Sequence, residues 1–388
     1  MINLLKRLQQ IYYSLMAKSK IITTFVFGSG RIAKIGSEDF KAKEFFYGYS
    51  YFSKFFNTNI VEMSAPSNSK NILDFIDKVL RKLTELPIYT KDIVNIKNIN
   101  ILKNSKKIIF TTELLALSLL PVTLVMKLFK KFDVFVIVMG LFGRRPKNKF
   151  VKFIQNVFIK LLALITSQFI FIGKGEFNKA KKDWPKLINK FIYIPFSVDT
   201  EFWHPPKVEL AKKEGILFVG NDGKRNYQLL LNIAQSLPEF NFTIITKQIE
   251  ECEFENVTLV NGNWGEGVLT DEEIKSYYQN AKLLILPINQ TYQPSGQSVA
   301  LQSMACGTPV LISKTEGFWD YDMFGDKNNI FFVNSDNLEE WREQINFLYT
   351  SDDLLRQCSR NANSTVVNEL SLNKFSKELY NLVIGKDE

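Results

Sequence analysis

Residues 286–309, LPINQTYQPSGQSVALQSMACGTP, run from the end of an apolar strand through a turn into a helix of small residues. The turn is Pro294, Ser295, Gly296, Gln297 and Ser298, hydroxyl and amide side chains around a glycine that lets a ligand or another backbone come close. A helix opening near Ser298 leaves its first N–H groups without intrahelical partners, at the positive end of the helix dipole. Such an end binds anions, so the chemistry on offer is recognition of the phosphate of an activated substrate. Ala305, Cys306 and Gly307 allow tight packing of the helix end, and Thr308 and Pro309 lead to a further strand over 310–313.

This block resembles the signature of the retaining nucleotide-sugar glycosyltransferases of family four, most closely over 304–310, MACGTPV. The resemblance implies an α/β protein of GT-B fold, with two Rossmann-like, doubly wound domains facing a central cleft and a nucleotide diphosphate sugar as donor. It also implies two glutamates eight positions apart, one near the donor sugar and one on the ribose hydroxyls; here those positions hold Pro294 and Gln302. An amide can hydrogen-bond a ribose diol, so Gln302 keeps that assignment. Proline cannot replace a carboxylate, and the sugar contact passes to Ser295, Gly296 or Gln297. Many relatives end the fourth strand with a histidine aimed at the donor sugar, whereas 134–142 reads VFVIVMGLF, with Met139 there. The chain thus reads as a divergent subgroup lacking the glutamate pair and the histidine.

In the same family the loop after the second domain's first strand supplies an arginine and, a few residues on, a lysine that neutralise the donor diphosphate. Here 220–227 reads GNDGKRNY, with Asn221 in the first place and Lys224 and Arg225 near the second. A departing diphosphate gains negative charge as the glycosidic bond breaks, so a cation held there lowers the barrier without a metal or other cofactor. Arg225 is the first choice for this role and Lys224 the second; an Asn-Asp-Gly turn with solvated bases is the plain alternative. No protein nucleophile is needed if the departing phosphate takes the acceptor's proton. His204, the only histidine, lies beside Pro205 and Pro206 and reads as a linker residue.

Residues 28–33, GSGRIA, match GxGxxA after a strand, which raises a dinucleotide-dependent oxidoreductase as a rival. Gly36 and Ser37 argue against a helix opening there, and no acidic residue ends a second strand about 20 residues on. The family resemblance instead turns Gly28, Ser29 and Gly30 toward the donor phosphates across the cleft. Asp320, Tyr321 and Asp322 form a DxD triplet, which in the other nucleotide-sugar transferase fold would hold a divalent ion; one such triplet among 40 acidic residues is expected by chance and reads as structural. Trp264 is read as packing, with stacking on a nucleobase as the alternative.

Charge divides the chain. Residues 1–200 hold 33 Lys+Arg against 13 Asp+Glu, net +20, and residues 201–388 hold 16 against 27, net −11. Such a cation is drawn to nucleic acid, anionic lipid or an acidic acceptor. Residues 129–132, FKKF, and 143–153, GRRPKNKFVKF, interleave bases with apolar side chains, which suits a bilayer interface. Nucleic acid is set aside because no helix-turn-helix, zinc-ligand or RNP pattern accompanies the charge. Arg144, Arg145 and Lys147 are therefore expected to meet an anionic membrane surface or acceptor, with a solvated basic surface as the alternative. Gln9, Gln10 and Ser14 interrupt any secretory pattern, and the longest apolar runs are too short or too broken to span a bilayer. The expectation is a peripheral protein on the inner face of the cytoplasmic membrane. Cys252, Cys306 and Cys358 show neither disulfide nor metal spacing, as expected in a reducing cytosol.

Six apolar strand patterns in each half alternate with helical ones, as a parallel sheet covered on both faces requires. Helices are expected over 39–56, 72–86 and 150–164, and Thr270 with Glu273 predicts a capping box. The domains divide as 1–195, a hinge over 196–214, a donor-binding domain over 215–370, and a last helix over 371–388 that, by resemblance, crosses back onto the first domain. The expected activity is sugar transfer to a lipid-linked or surface-glycan acceptor in bacterial polysaccharide or lipopolysaccharide synthesis. A nucleotide-sugar epimerase of the same fold and a catalytically silent binding subunit are the rivals.

Overall fold

The computed structural model describes residues 19–65, 71–207, 213–263, 268–334 and 336–385. Its strands are β1 (Ser19–Phe27), β2 (Phe56–Glu62), β3 (Lys107–Phe110), β4 (Asp133–Val138), β5 (Gln168–Phe171) and β6 (Phe191–Tyr193), then β7 (Glu214–Val219), β8 (Phe242–Thr246), β9 (Val257–Asn261), β10 (Ala281–Leu286), β11 (Val310–Ser313) and β12 (Phe331–Val333). They form two six-stranded sheets, β2-β1-β3-β4-β5-β6 and β12-β11-β10-β7-β8-β9, with parallel pairing in each. Strands covered on both faces are apolar throughout, as in Val134–Val138, all buried. Strand order reverses beside β1 in one sheet and beside β7 in the other, and ligands of doubly wound sheets bind beyond the strand ends at such switch points. The two switch points supply the loops that begin at Gly28 and Gly220.

The helices that matter for the site are α1 (Arg31–Lys34), α2 (Ile72–Thr84), α3 (Leu120–Phe129), α4 (Lys149–Ile165), α5 (Lys174–Asp183), α6 (Asp271–Asn280), α7 (Gln297–Ala305) and α8 (Leu372–Ile384). Their starts follow local chemistry. Asn71 and Asn148 accept from Asp74 N and Val151 N, and Thr270 with Glu273 closes the expected capping box. No helix among the described residues is long and apolar enough to cross a membrane.

The helix expected over 39–56 does not form. Residues 37–43 are irregular, and only the single turns Glu44–Phe46 and Tyr49–Phe52 are helical. Tyr47 (φ 47°) and Gly48 (φ 80°) adopt left-handed backbone between them, which ends one turn and redirects the chain. Tertiary packing overrides the apparent periodicity: Phe46, Tyr49 and Phe52 turn their rings onto Phe25 and Phe27 of β1.

The last helix returns to the first sheet. Tyr380 sets its ring 5.4 Å from Phe52, 5.6 Å from Phe55 and 5.4 Å from Phe56, and Lys107 Nζ donates to the Val383 carbonyl. This aromatic cluster fastens α8 to the first sheet. Tyr380→Ala should therefore cost about 2–4 kcal/mol in urea unfolding; an unchanged midpoint would contradict the assignment.

Candidate active site in the cleft

Two loops build the second domain's side of the site. Residues 220–226 are laced to residues 287–289 by a bridge between Arg225 and Ile288 and by hydrogen bonds from Asn226 N to Pro287 O and Asn289 N to Lys224 O, both 2.9 Å. This lacing pushes the Arg225 side chain beneath the turn that opens α7. The turn needs a glycine: Gly296 caps the helix at φ 78°, and a Cβ there would lie 2.9 Å from Ile288 Cδ1 and 3.3 Å from Arg225 Nη1. No side chain caps α7, so the positive end of its dipole has no side-chain acceptor of its own.

Arg225 is 4% exposed. Its Nη1 donates to Ser295 Oγ at 2.5 Å and lies 3.2 Å from Asp222 Oδ2, while Ser295 Oγ donates to Asp222 Oδ1 at 3.1 Å. Nε is buried without a partner among the described residues. Burial lowers the guanidinium's pKa and Asp222 opposes this; the group stays cationic because its ordinary value is so high. Arg225, Ser295 and Gly296 thus meet at one helix end.

The first domain faces that end with two further cations. The turn 28–30 leads into α1, with Gly30 at φ 78° and Ile32 N held by Glu62 Oε1 at 2.7 Å. Glu62, the last residue of β2, is the strand-ending acid absent from the expected place, and it is occupied by this backbone bond. Arg31 and Lys34 of α1 line a cavity of about 230 Å³ together with Asp271, Ser298 and Gln302 from the second domain. Burial, and Arg31 after it, lower the Lys34 pKa. Neither cation was among the expected site residues, although Arg31 directly follows Gly30 and Lys34 lies one turn further on.

Residues 41–44 strap across to the second domain and to the segment before β7, beside this cavity. Ala42 N donates to Asp271 Oδ2 (2.9 Å), Lys41 pairs with Glu272 (3.2 Å), and Lys43 N donates to Asp199 Oδ2 (3.2 Å). Glu44, 1% exposed, accepts from Trp203 Nε1 and Gln302 Nε2, each at 2.8 Å. Gln302 Oε1 accepts from the Tyr278 hydroxyl at 3.1 Å, so both ends of the Gln302 amide are engaged. Burial pushes the Glu44 carboxyl up to about 7 against the pull of these hydrogen bonds.

The other expected residues separate. Gln297 crosses the cleft, Nε2 donating to Ile172 O at the end of β5 (3.0 Å). Asn221 ties loops together, donating to Gly262 O (2.7 Å) and accepting from Lys247 N (2.8 Å). Lys224 is exposed and opens on a second cavity, with Arg144 and Arg145. Arg145 pairs across the cleft with Glu316 (2.5 Å), and Lys147 with Glu85 (3.4 Å). His204 lies in the segment between β6 and β7, against Pro205 O. Asp320 accepts from Asp322 N, Met323 N, Lys174 and Tyr193, so the triplet is a structural cluster; among the described residues no acid, histidine and cysteine group could hold a metal. Trp264 falls outside the described residues.

Pro294 packs on the first domain: a Cβ on Gly173 would lie 2.9 Å from its ring. Behind that contact, buried acids fix the loop after β4. Glu113 Oε2 accepts from Met139 N (3.0 Å), and Glu176 Oε1 from Phe142 N (2.8 Å) and Gly143 N (3.1 Å). Burial, then Glu113, push the Glu176 carboxyl up to about 8. Nothing in the sequence marked these acids, since each is a single residue in the first turn of a helix.

With this geometry in place, residues 199–365 match the family Glycosyl transferases group 1. No curated protein matches the sequence. Among solved structures the chain is similar to sucrose-phosphate synthase from Thermosynechococcus elongatus, with TM-score 0.68, 12% identity and 93% of this chain and 98% of that one covered. It is also similar to Anabaena Alr3699/HepE in complex with UDP and glucose, with TM-score 0.63, 11% identity and 94% and 99% coverage. A glycosyltransferase from Rickettsia africae ESF-5 gives TM-score 0.62, 12% identity and 95% and 100% coverage. The fold is GT-B, two Rossmann-like sheets across a cleft. The protein is a glycosyltransferase whose second half carries the group 1 domain.

Glu44 gives a pH signature. In the unfolded chain its carboxyl ionises near 4.5 and in the folded one near 7, so folding takes up a proton between those values. The stability that depends on it is full below about 4.5, falls as pH rises toward 7, and stays low above. Glu44→Gln should flatten this part of the Tm–pH curve, gaining on the wild type as pH rises through the window; parallel curves would contradict it.

Proposed function

We propose that this protein is a retaining glycosyltransferase of family four that takes its sugar from a nucleotide diphosphate sugar. The observation that carries the reading is the uncapped amino end of α7, with Arg225 beneath it and Arg31 and Lys34 across a 230 Å³ cavity. Arg225 under the turn, and Arg31 and Lys34 on the cavity that Ser298 also lines, set positive charge and a helix dipole about the amino end of α7, where a diphosphate would gain charge on leaving. The bond from the sugar's anomeric carbon to the diphosphate oxygen breaks, the acceptor oxygen bonds to that carbon on the same face, and its proton passes to the leaving phosphate. Ser295, Gly296 and Ser298 hold the diphosphate, and the turn 28–30 closes over it. Gln302 meets the ribose by exchanging its bond to Glu44, while Gln297 and Asn221 keep the loops in place. The reaction so drawn asks for no metal, because Arg225, Arg31 and Lys34 supply the charge. Alr3699/HepE has been solved with UDP-glucose, which makes that donor the first to try.

The acceptor is proposed to lie at the cytoplasmic face of a membrane, as a lipid-linked or surface glycan of bacterial polysaccharide or lipopolysaccharide synthesis. What supports this is one face of the first domain. α2 and α3 both pack beside α4, and all three leave apolar stripes in solvent: Phe75 and Val79, Leu128 and Phe129, Phe150 and Phe153. Phe129 is 83% exposed and Phe153 66%. Exposed Lys78, Lys82, Lys131, Lys152 and Lys160 accompany them, the mixture an anionic bilayer surface attracts.

Arg225→Ala should lower nucleoside diphosphate release from the preferred donor by roughly 100-fold; near-normal turnover removes it from the mechanism. Release that rises with a glycan or lipid extract supports transfer, whereas donor interconversion without acceptor would indicate an epimerase and no turnover a silent subunit. Phe150→Ser with Phe153→Ser should abolish sedimentation with phosphatidylglycerol vesicles, and binding that neither salt nor these changes affect would reject the membrane face.

A further inference from the structure

A second cavity, of about 220 Å³, lies between the domains on the far side of the 290–293 segment and is lined by Lys224, Arg144, Arg145, Gln155, Gln293 and Glu85. Lys224, assigned from sequence to the donor diphosphate, thus shares a site with the two arginines assigned to the acceptor. Of the charges there, Arg145 is paired with Glu316 and Glu85 with Lys147. Arg144 donates Nη1 to Glu85 O at 3.0 Å, and its Nε is buried without a partner among the described residues. It also faces the buried Glu113. Lys224 is exposed, and among the described residues it bonds through its backbone alone, N donating to Asp222 Oδ1 and O accepting from Asn289 N. Two cationic groups, one planar and one flexible, therefore converge with unused donors on one polar space. The cavity is also lined by Gln155 of α4, the helix whose Phe150 and Phe153 are exposed.

We infer that this cavity binds a phosphate group carried by the acceptor, held by Lys224 and Arg144 beside the membrane-facing helices. The inference rests on the transferase reading but uses a different cavity, so the two can fail separately.

The test is calorimetric titration of inorganic pyrophosphate into the intact protein saturated with UDP. One further site is expected, weakened about tenfold or more in Lys224→Gln and in Arg144→Gln, and unchanged in Lys34→Gln. Lys224 is exposed, so its variant should fold even if the Arg144 variant does not. No second site, or loss in Lys34→Gln with Lys224→Gln unaffected, overturns the inference. If UDP itself fails to bind, the donor reading falls, and pyrophosphate alone with the same two lysine variants still decides this one. Phosphatidylglycerol vesicles should bind Lys224→Gln and wild type alike; weaker binding by the variant would assign the cavity to a bilayer headgroup and contradict the acceptor assignment.

Discussion

The cleft depends on a close approach that only missing side chains permit. Where the second domain's 291–294 loop meets the first domain, Tyr292 and Pro294 come to rest against glycines: a Cβ on Gly143 would sit 2.9 Å from Tyr292 Cβ, and one on Gly173 2.9 Å from Pro294. Interiors packed to native density leave no slack for such an atom. Tyr292 and Gly143 also line the 220 Å³ cavity, while the 230 Å³ cavity lies among other residues of both domains. Pro294 thereby acquires a reason. At a position where the family resemblance implies a carboxylate, this chain has a rigid apolar ring that packs across the domain boundary.

The first domain holds its loops with buried acids. Glu113 and Glu176 each accept backbone N–H groups from the turn after β4, and Glu44 accepts from Trp203 and Gln302 across the cleft. A buried carboxyl is costly unless hydrogen-bonded, and each of these has at least one oxygen so satisfied. The raised values of Glu44 and Glu176 follow from burial first. These acids sit within a domain whose sequence is strongly basic, so its surface charge and its interior hydrogen bonding follow different rules.

Much of the fold was legible because its strands are covered on both faces. Runs such as VFVIV in β4 admit little but a buried strand, and the α7 turn announces itself through Pro, Ser and Gly before small residues. The capping box of Thr270 and Glu273 was equally plain, whereas the Asn71 and Asn148 caps emerge only in the structure. The strap was not: apolar spacing over 39–56 looks helical, and the left-handed backbone at Tyr47 and Gly48 that breaks it answers to packing on β1 and α8. Arg31 and Lys34 carry no signal of their own in sequence, where the glycines before them point to backbone as the binding element. Lys224 and the Arg144–Arg145 pair looked like separate features, since 79 positions of sequence hide that the domains close one cavity around them.

The central claim is that a diphosphate rests on the amino end of α7 between Arg225 and the Arg31–Lys34 pair. A crystal structure with a bound sugar nucleotide tests it most directly. The account predicts phosphate density against Ser295, Gly296 and Ser298, with Arg31 or Lys34 turned toward it. Density for the diphosphate in any other part of the molecule, with α7 left bare, would contradict it.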